Sequence, residues 1–315
     1  MKEVSIVIRT WNCRDTLEAC LMCLARQRFR DFEVIVVDSG STDGTAEQAA
    51  REGVRLLRIS RAEFSYGGAL NRGFAVAESP MVGALSAHSL LLDPDALGRM
   101  AAALRTADDR VVGVFGCAVF DDALARHPTA DAAPIRVTAA DLRRRCNAGF
   151  SNSCSLLRRS FWQTFPFPSE RCEDQVWASH FLTQGYATLQ LPAVRYRYRL
   201  DRPARYYIRK HMLDLLTLYR LWPEAEWPRS ELTNSSNVRY RLWCLFHWWR
   251  RSGWRWHRLN DEQKWFSANE MGLFLASARV RGGRGWWGVM ASDVIRALGT
   301  SARRKGWFLP STKWP

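Results

Sequence analysis

EVIVVDSGSTDGT, residues 33–45, decides how the rest of the chain is read. Val34, Ile35, Val36 and Val37 are four β-branched residues in a row, which suits a strand buried on both faces. Asp38 follows at the point where that strand leaves its sheet. Ser39 to Gly44 are small and polar, able to turn tightly and begin a helix. In open parallel sheets ligands bind outside the carboxyl ends of the strands, so an acid at this point faces a binding cleft. The same residues would serve equally as strand, turn and helix cap, with Ser41 or Thr42 capping and no ligand. The flanking sequence decides between the two.

Outward from this stretch, strand-like and helix-like segments alternate. Val4–Ile8 reads as a first strand ending at Arg9-Thr10-Trp11-Asn12. A helix capped by Asp15 or Thr16 runs to about Arg28 with Leu17, Leu21 and Leu24 on one face. Phe32–Val37 is the second strand, Thr45–Glu52 a helix and Val54–Ile59 a third strand. The glycine-punctuated loop Glu63–Gly73 enters a helix that reaches about Glu78. Met81–Leu85 is a fourth strand, followed by Ser86-Ala87-His88-Ser89 and a helix from about Pro94 to Arg105. Val111–Phe115 is a further strand. From Asp121 to Arg145 the pattern loosens into what reads as a surface excursion. Cys172–Trp177 opens a helix ending near Gln184 and Gly185, and Ala187–Leu191 is a last strand. This β-α-β-α order predicts an α/β fold, a mostly parallel, Rossmann-like sheet flanked by helices.

A length of 315 residues accommodates one large domain, or one domain with an appendage. No apolar run approaches the length of a bilayer span, and no signal-peptide pattern is found. The eight cysteines lack paired metal-ligand spacing, so free thiols in a reducing cytoplasm are expected. The net charge of +15 is unevenly placed: residues 1–194 carry 22 basic and 22 acidic side chains, residues 195–315 carry 24 and 9. Twelve of the fifteen tryptophans lie in that second segment, which points to a different job for it.

The order of motifs resembles the family 2 glycosyltransferases of GT-A fold, including bacterial rhamnosyltransferase-like members. The matching blocks are Val4–Asn12 (VSIVIRTWN), Val36–Thr45 (VVDSGSTDGT), Phe64–Gly73 (FSYGGALNRG), Leu85–Pro94 (LSAHSLLLDP), Ser151–Trp162 (SNSCSLLRRSFW) and Glu173-Asp174 followed by Gly185-Tyr186. They cover about residues 4–194. The resemblance implies a catalytic domain over residues 1–200 that uses a nucleotide-diphosphate sugar as donor.

Residue by residue, the resemblance places Arg9, Thr10 and Asn12 where such enzymes hold the nucleotide base, and Asp38 where an acid reaches base or ribose. A second carboxylate that some members carry is Ser39 here, which leaves uridine, thymidine and guanosine donors open. Asn71 and Arg72 are expected to face the donor. At the end of the fourth strand, where the family usually has metal-binding carboxylates, this chain has Ser86 and His88. His88 is a candidate ligand for Mn²⁺, whereas Mg²⁺ prefers oxygen donors. A histidine that often follows the last strand is absent, and Arg195 and Arg197 are the candidates for charge on the leaving diphosphate. Glu173-Asp174 supplies the expected catalytic pair, with Asp174 as base and Glu173 as neighbour or acceptor contact. The expected acceptor is a saccharide or lipid-linked saccharide.

Residues 201–315 read as a basic, tryptophan-rich, mainly helical region. Arg205–Leu216 is amphipathic, and Arg239–Arg258 interleaves arginines with indole rings. Indoles favour the headgroup boundary and cations favour anionic lipid, so contact with the inner face of the cell membrane is expected, with internal burial of the tryptophans as the rival. Two other classes stay open: a degenerate nucleotide-sugar binder without transfer, and a nucleic-acid-binding protein, although no recognised nucleic-acid module is found.

Overall fold

The computed structural model describes residues 1–119, 132–145, 149–168 and 171–198, together with 206, 207, 209, 210, 213, 214 and 217. Part of the expected surface excursion and nearly all of the basic C-terminal region lie outside the described residues.

Among the described residues, nine strands form one sheet. They are β1 (Val4–Thr10), β2 (Phe32–Asp38), β3 (Arg55–Arg58), β4 (Met81–Ser86), β5 (Ser89–Leu91), β6 (Val111–Val119), β7 (Ile135–Val137), β8 (Cys154–Arg158) and β9 (Ala187–Tyr198). The described helices are α1 (Arg14–Ala25), α2 (Thr45–Arg51), α3 (Tyr66–Val76), α4 (Ala96–Thr106), α5 (Ala139–Arg145), α6 (Arg159–Thr164) and α7 (Glu173–Thr183). The strand order is β3-β2-β1-β4-β8-β6-β9-β5, with β7 also paired to β9. Pairs β3–β2, β2–β1, β1–β4 and β6–β9 are parallel, whereas β8 runs antiparallel between β4 and β6. The α/β class and the mostly parallel sheet flanked by helices are as expected.

Alternation along each strand explains why both faces are covered. In β1, Val4, Ile6 and Ile8 join the α1 and α4 side, packed with Leu17, Leu21, Leu24, Leu97 and Met100, while Val7 points to the opposite face. There Ile35 and Val37 of β2 meet Leu70 and Phe74 of α3, Trp162 of α6 and Trp177 of α7. Burying each such side chain stabilises the fold by about 1.5–3 kcal/mol.

Three expectations need correction. The last strand does not stop at Leu191. Its pairing with β6 slips between Gly116 and Cys117, which absorbs Pro192 to Val194 as a bulge, and resumes at Arg195. Proline cannot donate to a ladder, and a bulge is where a strand accommodates it. The described end of the excursion is surface only in part: residues 132–136 are exposed, but β7 and α5 place Val137 and Leu142 in the core. The segment after Ser86 turns at Ala87-His88 and returns as β5, antiparallel to β9.

The described cysteines 13, 20, 23, 117, 154 and 172 are free thiols. No described helix is long and apolar enough to cross a membrane. Residues 206 to 217 are helical at the described positions, and the Lys210 ammonium lies 2.6 Å from the Asp214 carboxylate one turn on.

Candidate functional site

The carboxyl ends of β1, β2 and β4, the start of the antiparallel β8, and the first turn of α7 converge on one edge of the sheet. Two linked loops stitch its left half together. The Asn12 amide donates to Ser41 Oγ at 2.9 Å, and Ser41 Oγ donates to Asp38 Oδ1 at 2.5 Å. Asp38 also accepts from Thr10 Oγ1 at 3.0 Å and from the Ser41 amide at 3.0 Å. The Thr42 amide donates to Asn12 Oδ1 at 2.8 Å. Asn12 adopts φ 46°, in the left-handed region that Asn tolerates better than most residues. Asp38 is 2% exposed and Ser39 wholly buried, and among the described residues the Ser39 hydroxyl has no hydrogen-bond partner. Asp38 thus stands at the strand end as the sequence predicts, held by its own loop.

Asp43 organises the next turn. Its carboxyl lies below the usual carboxylate range: partial burial raises it, but hydrogen bonds from the Thr45 side chain and the backbone amides of Arg14 and Thr45 outweigh that.

On the other half, Arg9 leaves β1 and donates through Nη1 to the Tyr66 carbonyl at 2.6 Å and to Glu173 Oε1 at 2.7 Å. Its guanidinium also lies 5.3 Å from the Tyr66 ring centroid. Glu173 is 5% exposed and also receives the Asn152 side-chain amide at 3.4 Å. Asp174 is half-buried and more open than Glu173. The Asn152 amide donates to its Oδ2 at 3.0 Å and the Gln175 amide to its Oδ1 at 2.9 Å. Cys172, just before the pair, has φ 59° and ψ 36°, a left-handed conformation unusual for a residue with a Cβ. The two acids are therefore distinct: Glu173 is buried against a cation and Asp174 is only partly buried.

Asn71 is placed differently from the rest. Its Oδ1 accepts from Trp162 Nε1 at 2.8 Å and the Phe167 amide at 3.0 Å, and its Nδ2 donates to the Phe167 carbonyl at 2.7 Å. Arg72 pairs with Glu63 at 3.0 Å on the surface. Ser86 accepts from the His88 amide at 3.3 Å, and the His88 ring lies 6.2 Å from that of Tyr198. Arg195 and Arg197 alternate along β9 with buried Val194 and Tyr196, so they lie on the opposite sheet face, toward the end of the strand. Among the described residues, no three His, Cys, Asp or Glu side chains converge to hold a metal ion. Asp93 and Asp95, the acids nearest His88 in sequence, lie 3.7 Å from Arg99 and 2.7 Å from Arg28.

Two features of this edge escaped sequence reasoning. Asn152 supplies both its backbone and its side chain to the acidic pair, a contact made across 21 and 22 residues. Arg61 lies 4.0 Å from the Trp11 ring centroid and 4.7 Å from that of Phe64. Nothing in the local pattern at either position marks such contacts.

The model of glycosyl transferase family 2 matches residues 5–165. A PGL/p-HBAD biosynthesis glycosyltransferase of Mycobacterium bovis (strain BCG / Pasteur 1173P2) is 38% identical over 102 residues, 31% of this chain and 40% of that protein. Succinoglycan biosynthesis protein ExoU of Rhizobium meliloti (strain 1021) is 35% identical over 102 residues, covering 31% of this chain and 29% of that protein. The match thus spans well under half the length of these curated relatives. Among solved structures, mannosyltransferase PcManGT from Pyrobaculum calidifontis, in complex with GDP-Man and Mn²⁺, has a TM-score of 0.55 at 19% identity. That alignment covers 97% of this chain and 81% of the other, and it bears on the fold alone.

Proposed function

The chain belongs to glycosyl transferase family 2, and from that membership we propose that it is an inverting glycosyltransferase. It moves a sugar from a nucleotide-diphosphate donor to a hydroxyl of a saccharide or lipid-linked saccharide. The pathway is bacterial surface polysaccharide or glycolipid synthesis, in line with the names of the mycobacterial and rhizobial relatives. The rhamnosyltransferase-like motif order bears on this setting and does not identify the sugar. Residues 1–200 form the catalytic domain. Residues 201–315 hold it to the inner, anionic membrane face or meet the acceptor.

The observation that carries the reading is the contrast within the acidic pair at the sheet edge. Asp174 is the base: it takes the proton of the acceptor hydroxyl as that oxygen attacks the anomeric carbon. The bond to the diphosphate breaks on the opposite face, the electron pair leaves with the diphosphate, and the configuration inverts. Two backbone amides fix the Asp174 carboxylate in place. Thr10, Asn12, Asp38 and Ser39 receive the nucleoside end. Arg195 and Arg197 meet the charge of the leaving diphosphate, and His88 is the candidate donor should a divalent ion take part.

The test is thermal unfolding with UDP-, dTDP- and GDP-sugars, each with Mn²⁺, Mg²⁺ or EDTA, on the native chain and on Asp174→Asn. One nucleotide class should raise the melting temperature of both proteins alike, because a ligand that binds only the folded state stabilises it. Transfer from that donor should fall about 100- to 10,000-fold in Asp174→Asn. Retained turnover would remove Asp174 from the role. A shift without transfer in the native chain would favour a binder that has lost the reaction.

A further inference from the structure

We propose that Arg9 and Glu173 form a positioning clamp that sets the first turn of α7, and with it Asp174, rather than a nucleotide contact and an acceptor contact. The proposal rests on the reading of Asp174 as base, but its evidence is separate. A single Arg9 nitrogen bridges the Tyr66 carbonyl at 2.6 Å and Glu173 Oε1 at 2.7 Å. The two side chains are 18% and 7% exposed, so the pair is largely shielded from water. A buried charge pair of this kind tolerates loss of neither partner, since the survivor is left buried and uncompensated. Glu173 is therefore committed to holding the helix, while the next residue, Asp174, is only partly buried.

Neighbouring contacts anchor the same unit. The Tyr66 ring centroid lies 5.3 Å from the Arg9 guanidinium and 5.9 Å from that of Arg171. A Cβ on Gly67 would overlap the Pro168 carbonyl oxygen, and Asn71 binds both backbone groups of Phe167. The start of α3 thus grips the chain just before α7, and Arg9 ties both to the end of β1. The glycine-rich YGGALN segment acts, in this account, as the seat of the catalytic helix.

The experiment compares Arg9→Gln, Glu173→Gln, the double variant and Arg9→Lys in the full chain by two readouts. Amide hydrogen exchange is followed over residues 171–178, with α1 as internal reference. Affinity is measured for UDP, dTDP and GDP. The clamp predicts at least tenfold faster exchange at 171–178 in each Gln variant, none at α1, and no further increase in the double variant. Nucleotide affinity should stay within about twofold, and Arg9→Lys, which keeps the charge, should recover part of the protection. Unchanged exchange at 171–178 overturns the proposal, as does a tenfold loss of nucleotide affinity confined to the Arg9 variants. If Arg9→Gln fails to fold, the Arg9→Lys and Glu173→Gln comparison decides on the same two readouts. Asp174→Asn is run beside them: retained transfer there with altered exchange in the clamp variants would sink the base assignment and leave the clamp standing.

Discussion

Asp38 shows how a buried carboxylate can be held by its own loop. It is buried to 2% exposure, and its carboxylate already accepts from Thr10 Oγ1, Ser41 Oγ and the Ser41 amide. Asp38→Asn turns one acceptor into an NH₂ group aimed at donors. The expected cost is about 1–3 kcal/mol in urea unfolding, together with weaker nucleotide binding, because a buried donor loses its partner. An unchanged unfolding midpoint would mean that the loop does not depend on that charge. At this scale legibility is uneven. Asp38 announces itself because an apolar run followed by small polar residues marks a strand end, with or without a ligand there. Asn71 does not: its amide is engaged by Trp162 and Phe167, which lie 91 and 96 residues away. Arg9 is likewise satisfied by Glu173, 164 residues on, and no local pattern carries that pairing.

Elements were legible in proportion to how far their partners lie along the chain. β1 and β2 are apolar runs whose neighbours come within the first 90 residues, and helices with Leu17, Leu21 and Leu24 on one face can pack only inward. β5, β7 and the far half of β9 carry weak patterns of their own. They exist because each completes a ladder with a distant strand, and Pro192 hides the continuation of β9. The glycines of α3 test the element-level account. A methyl at Gly67 meets the Pro168 backbone, whereas one at Gly73 meets the side chains of Val7 and Val37. Side chains shift more readily than a carbonyl held in the main chain. Gly67→Ala should therefore destabilise the protein by about 1–3 kcal/mol and Gly73→Ala by less, compared by thermal or urea unfolding. The reverse order would show that the α3–Pro168 contact yields freely.

Charge at the scale of the whole molecule separates the two halves. The first 194 residues balance 22 basic against 22 acidic side chains, so the excess of +15 belongs to the remaining 121 residues, with twelve tryptophans among them. A neutral sheet has no need of that surplus, whereas the lipid-linked acceptor of the proposed function would bring the chain to an anionic bilayer. Polybasic segments gain about 1 kcal/mol per Lys or Arg near such a surface, and indoles settle at the headgroup boundary. The full chain should therefore bind vesicles of anionic lipid and ignore neutral ones. That binding should weaken as salt rises, since the Debye length falls from about 10 Å at 0.1 M to about 3 Å at 1 M. A chain ending at residue 200 should bind neither kind if it folds. Equal binding to RNA and to anionic vesicles would mean that phosphate charge alone is being sensed. Absence of binding to any vesicle would return the tryptophans to an internal core or a subunit interface. Residual binding at high salt is the most informative result, because charge is then screened and the indoles remain to hold the protein at the bilayer.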